Sequence, residues 1–168
     1  MIYLCRYYGL VEVADYWEQV ILLNEWQKKR ISKLIIETFF GTVSSKKLTL
    51  LGFAFKSNTN DTRESPAITI AKELLENGAD LCIHDPQVSE SQISKILHLD
   101  NFNKTKKSIE GSWSYTNNLN LAFKDADAII ILTEWEEYFK INWKMMSLLM
   151  RLSLMHISEP TRPLHISY

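Results

Sequence analysis

The run Gly52-Phe53-Ala54-Phe55-Lys56-Ser57-Asn58-Thr59-Asn60-Asp61-Thr62-Arg63-Glu64-Ser65-Pro66 follows the apolar stretch Lys47-Leu48-Thr49-Leu50-Leu51. It precedes Ile68, Ile70, Ala71, Leu74 and Leu75, which recur at helical spacing. Strand, polar segment and amphipathic helix in that order predict a βα unit. Loops in such units usually run about two to six residues. A polar segment reaching from residue 52 to 65 at the carboxyl end of a strand therefore stands where α/β sheets hold ligands. Lys56 and Arg63 are its cations, Ser65 suits the N-cap, and Pro66 suits the first helical position. The helix start is expected to offer free N–H groups and a positive dipole end to a phosphate, pyrophosphate or carboxylate. The competing reading pairs Lys56 and Arg63 with Asp61 and Glu64 on the surface. Neither G-x-G-x-x-G nor G-x-x-x-x-G-K-[ST] occurs, so these residues indicate an anion without identifying it.

Working outward, residues 11–40 place Val13, Trp17, Val20, Ile21, Ile31, Leu34, Ile35 and Phe39 at helical spacing with no Gly or Pro inside. One long helix of roughly 45 Å is expected, longer than one small domain needs, bridging domains or subunits and closed by Gly41 as a C-cap. Its cluster Gln27-Lys28-Lys29-Arg30 reads as a solvated face or a ligand-facing one. Beyond the βα unit, Asn77-Gly78 closes the helix and Ala79 to His84 reads as a second strand ended by Asp85-Pro86. Asp85 there either holds a ribose hydroxyl or simply forms a turn. A polar helix over 89–97, a lysine-containing loop over 101–112, a short strand at Trp113-Ser114-Tyr115 and a helix over 119–124 follow. Residues 126–133 run apolar without alternation, as a buried parallel strand does. The expected fold class is α/β, a Rossmann-like doubly wound parallel sheet preceded by one long helix. From Arg151 onward the pattern is lost and two prolines occur, which leaves a tail without assigned structure.

With 168 residues, 46% hydrophobic and 23% charged, the chain is expected to form one domain with an appended helix. A net charge of −1 and no basic block beyond Lys104, Lys106 and Lys107 argue against nucleic acid as a partner. No apolar stretch approaches the ~18 residues of a membrane span, and Met1 to Leu10 lacks a signal-peptide pattern, so a cytoplasmic protein with no membrane partner is expected. Cys5 and Cys82 are not a C-x-x-C pair, and Cys82 reads as a core residue. His84, His98, His156 and His165 show no ligand spacing, and no metal is assigned.

Taken together, Gly52-Phe53-Ala54-Phe55-Lys56, Asp61-Thr62-Arg63-Glu64-Ser65-Pro66, Asp85-Pro86 and Leu132-Thr133-Glu134-Trp135 resemble the carboxyl-terminal third of the UDP-glucose 6-dehydrogenase family. Glu12-Val13-Ala14-Asp15-Tyr16-Trp17-Glu18-Gln19-Val20 and Asn24-Glu25-Trp26-Gln27 are similar to that family's central helix, and the resemblance covers roughly residues 1–150. It implies a dimerisation helix over 1–42, a UDP-sugar-binding Rossmann-like domain over 46–150, and an aberrant tail over 151–168. It also implies oxidation of UDP-glucose to UDP-glucuronate with two NAD, passing through a cysteine-bound thiohemiacetal and thioester. Phe55 and Lys56 would contact the UDP-sugar, Arg63 would reach NAD held by another domain, and the long helix would build a homo-oligomer. The family's glycine-rich cysteine motif ending Phe-x-Lys-Asp is absent, so no catalytic residue is assigned and Cys5 is not the nucleophile. The lysine and asparagine that serve the chemistry and the later Asp-Gly-Arg motif are absent too. The chain is thus expected to be a fragment, inactive alone, with a foreign or frame-shifted tail. Two alternatives stand beside this: a sibling acting on GDP-mannose or a UDP-N-acetylhexosamine, and a non-catalytic UDP-sugar-binding or dimerisation module.

Overall fold

In the computed structural model, which describes residues 1–99, 111–151 and 154–157, five strands form one sheet in the order β3-β2-β1-β4-β5, every neighbouring pair parallel. The strands are β1 (Lys47–Leu51), β2 (Asp80–His84), β3 (Ser112–Tyr115), β4 (Ala128–Ile131) and β5 (Leu154–Ile157). From β1 the chain steps outward through β2 to β3, then returns across the sheet to β4. The reversal between β1 and β4 makes the doubly wound pattern, with a crevice at their carboxyl ends.

The core follows from the sequence periods. Leu48, Leu50 and Leu51 are fully buried in β1, and α3 (Pro66–Glu76) buries Ala67, Ile70, Ala71, Leu74 and Leu75 on one face. Each large aliphatic side chain among these stabilises the fold by about 1.5–3 kcal/mol. Cys82 lies in this core as expected, and burial pushes its thiol pKa up. The polar helix after β2 forms as α4 (Glu90–Leu99), and α5 (Leu119–Phe123) joins β3 to β4. Two short helices unread in the sequence, α6 (Glu136–Phe139) and α7 (Trp143–Met146), follow β4.

The amino-terminal end forms α1 (Ile2–Tyr7) and the long α2 (Val11–Thr38), about 42 Å at 1.5 Å per residue. Only the end of α2 joins the common core, through Ile35 and the following Phe39. Over its first two-thirds the apolar positions Val13, Trp17, Ile21, Leu22, Leu23 and Trp26 are exposed. The helix closes one residue earlier than the Gly41 cap implied. Phe40, at φ +57, takes the left-handed position, donating its N–H to Glu37 O, while the Gly41 N–H reaches Ile36 O. These two bonds make a Schellman closure with phenylalanine where glycine is usual.

The tail differs from expectation. Leu154–Ile157 is a strand in register with Ala128–Ile131. The free edge of β4 presents unpaired N–H and C=O groups, and a short extended segment satisfies them without needing an alternating pattern. The loop expected over 101–112 lies, up to residue 110, outside the described residues, as do the His98 side chain, His165 and the rest of the tail from residue 158.

Candidate functional site

The long loop is fixed at its root. Gly52 leaves β1 at φ +94 and donates its N–H to His84 O at 2.8 Å, while Thr133 Oγ1 donates to Ala54 O at 2.7 Å. Beneath the loop sits the buried Asp85. Its Oδ2 accepts from the N–H groups of Phe53 (2.6 Å) and Ala54 (3.0 Å) and from the Trp135 indole (3.3 Å). Its Oδ1 accepts from the N–H groups of Gln87 and Val88, both at 2.8 Å. The ends of β1, β2 and β4 are thereby joined through one carboxylate. Of the two sequence readings of Asp85, the turn-forming one holds. The ribose reading fails because the chain's own donors occupy both oxygens.

Phe53 and Ala54 are buried, but the next side chain, Phe55, is 53% exposed. Its N–H donates to Asp61 O at 2.8 Å, which closes the tip of the loop. The Asp61 carboxylate in turn accepts from the Arg63 guanidinium, at 3.0 and 3.2 Å from Nε to Oδ1 and Oδ2 and at 2.7 Å from Nη2 to Oδ2, and also takes the Arg63 N–H at 2.9 Å. These contacts, with Lys56 adding charge, hold the Asp61 carboxyl at a pKa of about 2. Arg63 thus pairs with Asp61, as the surface reading supposed. Glu64, however, turns to Lys28 on α2, 3.6 Å away, beside the closer Lys28–Glu25 pair at 2.7 Å. The Glu25 hydrogen bond is the main reason the Lys28 pKa is raised. Lys56 is exposed.

The start of α3 corrects an expectation. Ser65 caps it and Pro66 opens it, as read from the sequence, but the N–H groups there are not on offer. Ala67 N–H goes to Ser65 Oγ at 3.3 Å, Ile68 N–H to Ser65 O at 3.2 Å, and Ala67 is fully buried. With the first donors satisfied internally, positive charge for an anion must come from side chains.

Between α2 and the loop runs a groove of about 770 Å³, lined by Ile21, Asn24, Lys28, Ile31, Phe55 and Glu64 among others. Phe55 contributes the aromatic face. A second cavity of about 500 Å³ lies beside His84, Asn117 and Glu137. His84 is buried there, its Nδ1 2.9 Å from the Tyr138 hydroxyl. Burial lowers its pKa and outweighs the pull of Glu137 and Asp85. Among the described residues no group of three or more His, Cys, Asp or Glu is placed to hold a metal. Cys5 is half-buried in α1, and no described helix is long and apolar enough to cross a membrane.

The structure therefore brings Phe55 to a groove and leaves Lys56 and Arg63 as exposed charges on the same loop. Sequence reasoning missed the fastening by Asp85, Thr133 and Trp135. Its partners lie 31 to 79 residues apart, and no local spacing announces them.

Residues 49–156 match the UDP-glucose/GDP-mannose dehydrogenase family, UDP binding domain. The chain is 44% identical over 157 residues to UDP-glucose 6-dehydrogenase 3 of Arabidopsis thaliana, covering 86% of this chain and 32% of the plant protein. It is 43% identical over 144 residues to the UDP-glucose 6-dehydrogenase of Drosophila melanogaster, covering 86% and 30%. It thus spans about a third of the length of the curated relatives it matches. In fold it is similar to a UDP-glucose dehydrogenase from the hyperthermophilic archaeon Pyrobaculum islandicum, with a TM-score of 0.67 at 23% identity over 97% of this chain and 32% of that one.

Proposed function

The chain belongs to the UDP-glucose/GDP-mannose dehydrogenase family, and from that premise we propose that it binds the UDP part of UDP-glucose at the groove between α2 and the β1–α3 loop. The observation that carries the reading is Phe55. Its ring stands 53% exposed beside the groove on a loop whose preceding residues are buried and hydrogen-bonded, so it is held where a flat group could stack on it. A uracil stacked on it would gain about 1–3 kcal/mol. Lys56, next in the chain, supplies a compact positive charge for the diphosphate. In this reading the chain serves a UDP-glucose 6-dehydrogenase, an oxidoreductase that converts UDP-glucose to UDP-glucuronate.

The hydride acceptor implied for that reaction is NAD. The described residues do not themselves fit it, because the start of α3 is buried and self-capped. As the resemblance implies, Arg63, whose Nε and Nη2 are engaged with Asp61, would contribute its charge to NAD held by another domain. The work of this chain is to bind and orient. The cysteine motif for the covalent step is not in the sequence, and Cys5, half-buried in α1, lies outside any such motif. The exposed apolar stripe on α2 is proposed to meet a second copy, giving a homo-oligomer. Free Cys5 and Cys82 accord with a cytoplasmic home, where thiols stay reduced.

Calorimetry and thermal melting with UDP and UDP-glucose test the site. Saturation at about 100 times Kd should stabilise the chain by about 2.7 kcal/mol, and Lys56→Ala should remove the effect. No binding of either ligand refutes the reading, and tighter binding of GDP-mannose or a UDP-N-acetylhexosamine moves the assignment to that substrate. Sedimentation showing only monomer refutes the α2 interface.

A further inference from the structure

The three peptide N–H groups that lead to the exposed ring are all taken. Phe53 and Ala54 donate to Asp85 Oδ2 at 2.6 and 3.0 Å, and Phe55 donates to Asp61 O at 2.8 Å. The Ala54 carbonyl on the same stretch accepts from Thr133 Oγ1 at 2.7 Å. From this geometry we infer that Asp85 is a positioning residue of the nucleotide site, acting through the backbone of Phe53 and Ala54 to fix where Phe55 and Lys56 point. The inference deepens the proposed function and rests on it.

Asp85 cannot touch the nucleotide itself. It is 1% exposed and both its oxygens are filled. What it does is order two successive peptide planes before any ligand arrives. Two bonds to one charged oxygen, directly before the presenting residues, set the direction in which the chain leaves β1. A ligand that finds Phe55 and Lys56 already placed spends less of its binding energy on ordering them. The remaining donors, Gln87, Val88 and the Trp135 indole, hold the carboxylate itself in place. A purely stabilising carboxylate would need no bond to the loop root, whereas here two of the five donors belong to it.

Asp85→Asn keeps the shape of the side chain but removes the charge that all five donors share, and whichever way the amide turns its N–H₂ meets two backbone N–H donors, so the hold on the loop root is weakened even where the amide oxygen takes the place of Oδ2. The loss should weaken UDP binding by about tenfold or more, since hydrogen bonds to a charged group are at stake. If Asp85 acts through the placement of Phe55 and Lys56, Asp85→Asn should cost less UDP affinity in a Phe55→Ala background than in the wild-type chain. Ser112→Ala removes an exposed hydrogen bond to Asp80 at the opposite end of β2 and should leave Kd within about twofold. Calorimetry at a temperature where circular dichroism shows each variant folded reads these constants. An unchanged Kd for Asp85→Asn, or effects that add fully with Phe55→Ala, overturns the inference.

Hydrogen exchange of the ligand-free chain separates this from failure of the nucleotide reading. If the wild-type chain binds no UDP, that reading falls. The positioning claim then stands on exchange at the Phe53 and Ala54 amides quickening at least about tenfold in Asp85→Asn while Leu48 to Leu51 keep theirs. Unchanged exchange at the root overturns it. Should Asp85→Asn not fold, Thr133→Val removes the Ala54 carbonyl's partner from the other side. A Kd and root exchange unmoved by that change overturn the inference too.

Discussion

Gly52→Ala measures how tightly the crevice is closed at its root. Two costs apply. At φ +94 an L side chain is strained, a penalty of about 1–2 kcal/mol. A Cβ would also lie 2.5 Å from Thr133 Cβ, 2.6 Å from its Oγ1 and 2.7 Å from its backbone N. Thr133 is buried and its hydroxyl is engaged with Ala54 O, so it has no open space to retreat into. Overpacking of that kind adds about 1–3 kcal/mol, for a total of about 2–5 kcal/mol. Gly41→Ala supplies the comparison, because Gly41 is at φ +89 and an added methyl there would meet nothing within 4 Å. It carries the conformational cost without the contact. Urea unfolding, with the midpoint shifting and the slope unchanged, reads both. The reasoning fails if the two variants lose the same stability to within about 0.5 kcal/mol, the precision to which independent effects add.

Three further outcomes are expected. Phe40→Gly should raise stability by about 0.5–1 kcal/mol by relieving a left-handed phenylalanine at the end of α2, checked by thermal denaturation. His84 binds its proton less readily folded than unfolded, so the stability it contributes is full above its ordinary pKa of 6.5 and is lost as pH falls below that. The wild-type advantage over His84→Gln in urea midpoints should therefore shrink on acidification, and a constant advantage contradicts it. Arg63→Ala should lift the Asp61 carboxyl from about 2 toward the usual carboxylate range in an NMR titration, since the Arg63 hydrogen bonds are the largest cause of its depression. A titration still near 2 would assign the shift to something else.

The sheet is legible in the sequence where period and length agree. Leu48 to Leu51 and the uninterrupted apolar run of β4 announce buried parallel strands, and the spacing of Ile70, Leu74 and Leu75 announces α3. β5 is not legible, because an edge strand recruited by its neighbour's backbone needs no pattern of its own. The Ser65-Pro66 start is a cap, as its residues imply, but not the open anion site they also suggest. Sequence shows that a cap residue is present, not that its own oxygens already satisfy the donors. Asp85 is the opposite case. Two functions are open to it in the sequence, and only distances to residues some thirty and fifty positions away decide between them. Lys56 and Arg63 are legible as the loop's cations, whereas Phe55 comes only from a resemblance, and the fold adds that Phe55 borders a groove.

The bond from the Phe55 N–H to Asp61 O divides the loop into a fastened base and a closed tip, residues 56–60. The tip is mostly exposed, and Asn58 within it already tolerates a left-handed conformation. Changes there, including inserted residues, would leave the bonds at Gly52, Ala54 and Asp85 untouched. The tip, which begins at Lys56, is thus the part of the loop whose sequence can vary with least harm to the sheet. A scaffold arranged this way can acquire a new preference among ligands by small edits at the tip while the rest of the domain stays as it is.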